Sequence, residues 1–74
     1  MADEWNADKA NQSVRLALNE IEKLEEKLSP ARAEALLDEF ERDISLAFLR
    51  QDLAAVMNIS EEYTRRFRVL EEED

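Results

Sequence analysis

Carboxylates dominate the side chains able to do chemistry in this chain. Glu22 with Glu26, and Asp38 with Glu41, stand at spacings that put each pair on one helix face. Such a pair can carry general acid–base catalysis or hold a divalent cation. The companions that this chemistry usually needs are missing. There is no His and no Cys, which removes the commonest general base and metal ligand, the thiolate nucleophile and any disulfide. The serine hydroxyls are Ser13, Ser29, Ser45 and Ser60, and Ser29 and Ser60 read as helix caps. Glu-rich surface helices produce carboxylate pairs by default. The residues therefore imply no enzyme, no cofactor and no metal.

The charged residues constrain the partner as well. Nineteen acidic against ten basic residues leave a net charge of −9. Divided at residues 28 and 57, the three segments carry 7 acidic against 4 basic, then 6 against 3 twice, so the acidity is spread evenly. Such a surface repels phosphate backbones and anionic lipid and favours solubility. Arg65, Arg66 and Arg68 form the one basic cluster. Opposite charges at helical spacing, such as Glu39 with Arg42 and Glu62 with Arg66, are worth a few tenths of a kcal/mol, while Glu34 and Asp38 repel slightly.

The elements that must carry these side chains are helices. The chain has no glycine and a single proline, and it lacks the turn residues and β-branched runs of a strand-rich fold. Ala7, Ala10, Val14, Ala17, Ile21, Leu24 and Leu28 recur at strict three-four spacing, the seam of a coiled-coil helix. This predicts a first helix over 3–28, capped by Asp3 or Asn6. Ser29 caps a second helix with Pro30 at its first position, where the missing N–H costs nothing. So short a turn makes the two an antiparallel hairpin.

The second helix is predicted over 30–57, with a seam of Ala33, Leu37, Phe40, Ile44 and Ala47. Leu46, Leu49, Leu53 and Val56 form a second stripe, with Met57 beside it. A helix with two apolar faces is sandwiched, and here the second face is assigned to a partner or a mate. Asn58-Ile59-Ser60 is read as the next break, with Ser60 capping a short third helix over 61–71 that offers Tyr63, Phe67 and Leu70 to the core. Residues 72–74 read as a frayed acidic end. Trp5, the only tryptophan, either staples the helix end or projects toward a partner.

Two segments resemble known families. Leu53 and Ala54, Met57, Ile59, Ser60 and Phe67 fall where a helix-turn-helix places its conserved types, with Asn58 at the usual glycine and Thr64 at the usual branched apolar position. That resemblance implies a DNA-binding transcriptional regulator contacting nucleic acid through Arg65, Arg66 and Arg68. Glu61 and Glu62 at the start of the would-be recognition helix oppose DNA, since base contacts come mainly from that end. Ser13, Ala17-Leu18, Glu20-Ile21-Glu22, Lys27-Leu28, Glu39-Phe40-Glu41-Arg42, Ile44, Leu46 and Ala47 resemble the small subunit of exonuclease VII. This implies an acidic helical hairpin that coats a larger catalytic subunit and has no active site of its own. Here Ser29-Pro30 replaces the family's Gly-containing turn and Asp43 stands at its Gly.

The expected protein is thus all-α: an antiparallel helical hairpin plus a short third helix, assembling as a helix-bundle homodimer. It is expected to be a small cytoplasmic regulatory or accessory protein without catalysis, acting by protein–protein contact. Leu46, Leu49, Leu53, Val56 and Met57 are its interface, and neither membrane nor nucleic acid is its partner. The alternative is the helix-turn-helix regulator.

Overall fold

Asn6 opens the first helix, α1 (Ala7–Glu25): its side chain accepts from the Lys9 amide at 3.1 Å, satisfying one donor that the first turn leaves free. The computed structural model describes residues 4–72, so Asp3, the other candidate cap, lies outside the described residues, as do 73 and 74 of the acidic end. The helix stops at Glu25, three residues before the expected Leu28. The amides of Lys27 and Leu28 both turn back onto the Leu24 carbonyl, at 2.9 and 2.7 Å. Helix α2 (Pro30–Leu49) begins as the sequence predicts, with Ser29 Oγ accepting from the Arg32 amide and Pro30 in the first turn.

The second break corrects the sequence reading. Helix α2 ends at Leu49, and α3 runs unbroken over Leu53–Glu72. The helix predicted over 30–57 is therefore cut at Arg50–Asp52, and Asn58, Ile59 and Ser60 lie inside a helix. The turn is a Schellman motif: the Gln51 amide donates to Phe48 O at 3.0 Å and the Asp52 amide to Ala47 O at 3.1 Å. Gln51, in the position usually held by glycine, takes a left-handed φ of 52°. Asp52, not Ser60, caps α3, its Oδ1 accepting from the Ala55 amide at 3.1 Å. At 20 residues, α3 equals α2 in length, roughly 30 Å.

The chain is an all-α three-helix bundle running up, down and up. Trp5 meets Phe48 at one end, while Lys27 donates to the carbonyl of Glu71 at the other, so α2 is antiparallel to both of its neighbours. Helix α1 lies most extensively against the parallel α3 and least against α2. The three–four seam explains this packing. Ala10 and Ala17 are fully buried, and their small side chains let α1 approach α3 closely, where Ser60 is also buried. Volume is supplied by Phe40, Tyr63 and Phe67, whose ring centroids lie 5.2, 6.4 and 5.8 Å apart in edge-on or tilted pairs. Ile21, Leu24, Ile44 and Val56 close the core.

Candidate interaction surface

The five residues assigned to an interface do not share one surface. Leu46 and Leu49, three apart on the outer side of α2, are 55% and 82% exposed. Leu53 is half-buried on α3. Val56 is fully buried in the core and is unavailable to any partner, which removes it from the set. Met57, 43% exposed, lies instead in a groove between α1 and α3 with Leu16 and Ser13. The second stripe presupposes a continuous helix. The turn at Arg50–Asp52 reverses the chain, so residues on either side of it face different neighbours. The sequence reading also missed Leu16 and Val69, both more than half exposed. Their signal was their place outside the seam spacing.

Around Leu46 the surface is a shallow groove between α2 and α3, floored by Ala47, Ala55 and Ile59. Its rim carries Asp43, Asp52 and Glu62 together with Arg50, so both signs of charge border the apolar floor. Asp43 accepts a hydrogen bond from the Tyr63 hydroxyl at 2.5 Å. Burial, reinforced by this carboxylate, pushes the Tyr63 phenol up to about 12.

The three arginines diverge. Arg65 reaches Glu61 on its own helix at 3.4 Å, Arg66 reaches Glu39 of α2 at 3.7 Å and lies over the Tyr63 ring, and Arg68 reaches Glu20 of α1 at 3.6 Å. Arg65 and Arg68 line the same groove between α1 and α3, while Arg66 faces α2. The continuous α3 also leaves no turn between 53 and 67 for a helix-turn-helix.

Among the described residues Glu20 is the one buried charged side chain, 8% exposed, and lies at the far end of the α1–α3 contact. Its place beside the seam, three after Ala17 and four before Leu24, was the sequence signal. A hydrogen bond with the Glu71 carboxyl, aided by Lys23 and Arg68, holds Glu20 below the usual carboxylate range. The same hydrogen bond, with burial, pushes Glu71 up. Glu71 Oε2 is buried with no hydrogen-bond partner. Ser60 Oγ is likewise buried and unpartnered, while the Ser60 carbonyl accepts from Thr64 Oγ1 at 2.6 Å.

Among the described residues no group of three or more acidic side chains converges as a metal site would require. No described helix is long and apolar enough to cross a membrane. No protein-family model matches the chain, and neither the curated proteins nor the solved structures yield a match.

Proposed function

We propose that this chain is a small acidic accessory or regulatory protein of the cytoplasm that acts by protein–protein contact without catalysis, and that it first pairs with a second copy of itself. The observation that carries the reading is the exposure of Leu46 and Leu49 on one side of α2. Burying a leucine side chain is worth roughly 1.5–3 kcal/mol, so two neighbouring exposed leucines favour association. The rim around Leu46 suits a self-complementary interface, because Arg50 of one copy can face Asp43, Asp52 or Glu62 of the other across a two-fold axis. An apolar centre with a charged border is also how interfaces are commonly built. The resemblance of residues 13–47 to the small subunit of exonuclease VII points toward a non-catalytic helical subunit as well.

Size-exclusion chromatography with light scattering, over roughly a hundredfold range of concentration, tests the pairing by mass action. The expected result is a dimer that dissociates on dilution. Leu46→Ser with Leu49→Ser should give a monomer of unchanged helicity. A wild-type chain that stays monomeric throughout would refute pairing through these leucines.

A further inference from the structure

Helix α1 covers α2 least of all, and the groove left between them differs in charge from the rest of the bundle. At its closed end Glu25 and Glu34 border a cavity of about 350 Å³ floored by Pro30, Ala33 and Leu37. No lysine or arginine lines it. By helical spacing, half-buried apolar residues continue the line of that floor on both helices. On α1, Leu18 and Val14 lie seven and eleven residues before Glu25, on the same face, and both are half-buried. On α2, Phe48 follows Leu37 by eleven residues and meets Trp5, which closes the far end. Glu41, exposed, stands two turns beyond Glu34 on α2. The opposite groove, between α1 and α3, carries Arg65 and Arg68, so the carboxylates here are not a uniform coat.

We infer that the α1–α2 groove receives a cationic amphipathic helix from another protein, completing a four-helix bundle. A half-buried apolar floor between two antiparallel helices presents the three–four spacing that a further helix fills. The border decides which helix. A second copy docked face to face would set Glu25 and Glu34 against their own counterparts, and like charges across an interface repel. A lysine- or arginine-bearing helix would meet them with opposite charge, and the field of a −9 chain steers it in. The inference rests on reading the chain as a protein-contact module, but not on its pairing through Leu46 and Leu49.

The probe is a synthetic helix of the length of α2, with leucine at three–four spacing and lysine elsewhere; the control peptide carries glutamate in place of lysine. The full chain is titrated by calorimetry and by the fluorescence of Trp5, its only tryptophan. Saturable binding with one peptide per chain is expected from the lysine helix and none from the glutamate helix. Glu25→Gln with Glu34→Gln should raise Kd about tenfold or more. Glu62→Gln with Glu72→Gln removes the same net charge from α3 and should leave Kd within about twofold, as should Leu46→Ser with Leu49→Ser. Absence of saturable binding would overturn the inference, and so would equal losses from the α3 pair or a loss from the leucine pair. Whether the chain dimerises is read from mass alone, so the two readings fail separately.

Discussion

Replacing Gln51 by glycine should stabilise the protein. Gln51 holds a left-handed backbone with φ of 52°, at the position of the Schellman turn where glycine ordinarily sits. A residue with a Cβ loses roughly 1–2 kcal/mol in that conformation, because Cβ crowds the following carbonyl. Glycine removes the crowding but gives the unfolded chain more freedom, which offsets about 0.5–1 kcal/mol. The net gain is about 0–1.5 kcal/mol, centred near 0.75 kcal/mol, or roughly 3–6 °C in Tm for a domain of this size. Urea unfolding followed by circular dichroism measures it directly, with an unchanged m-value showing that the surface exposed on unfolding is the same. Gln51→Ala retains Cβ and should be close to neutral, whereas the β-branched Gln51→Val should destabilise. If glycine proves no more stable than alanine at this position, the backbone cost assigned to Gln51 is wrong.

Phe40 is fully buried between Tyr63 and Phe67, so Phe40→Ala should cost about 3–5 kcal/mol through lost burial and the cavity left behind. That is a large share of the roughly 4–11 kcal/mol expected for a chain this short, so Phe40→Leu supplies a milder variant. A urea midpoint barely moved by either would contradict the central position of the ring. The carboxyl pair predicts a pH dependence. The raised Glu71 contributes stability below the ordinary carboxylate range that is lost as pH rises through its folded pKa. The lowered Glu20 contributes stability above that range that is lost as pH falls through its own folded pKa. Stability from the pair is thus greatest between the two. Glu71→Gln keeps a donor for Glu20 but cannot ionise, so thermal melts across pH should show the neutral-side decline only in the wild type. Equal declines in both chains would refute the upward shift of Glu71.

The fold class and the first turn were legible because the relevant residues act locally. Ser29 and Pro30 disclose a helix start whatever surrounds them, and the alanine-rich seam of α1 requires a closely approaching helix. The second turn was hidden for two reasons. In a chain without glycine, the left-handed position is filled by Gln51, which has no distinctive turn preference. The spacing Leu49, Leu53, Val56 also continues the helical period across the break, so periodicity alone cannot show that the chain has reversed. Asn58 and Ser60 then supplied a false break: cap-forming types also occur inside helices, and Ser60 serves there as a small residue under α1. The interface assignment inherited that error. It joined Leu46 and Leu49 to Val56 and Met57, which the turn carries onto a helix with different neighbours. Glu20 and Glu71 are 51 residues apart in sequence, and no local pattern connects them.

The parallel contact of α1 with α3 has a consequence for the order in which the chain can assemble. The α2–α3 hairpin needs only the tight turn at Arg50–Asp52, a loop whose closure costs little entropy. The larger α1–α3 seam joins residues separated by the whole of α2, as in the pairing of Glu20 with Arg68. This contact is the non-local one of the bundle, and non-local contacts slow the search for the native state. The most extensive interface in the molecule is consequently the one that closes the longest loop.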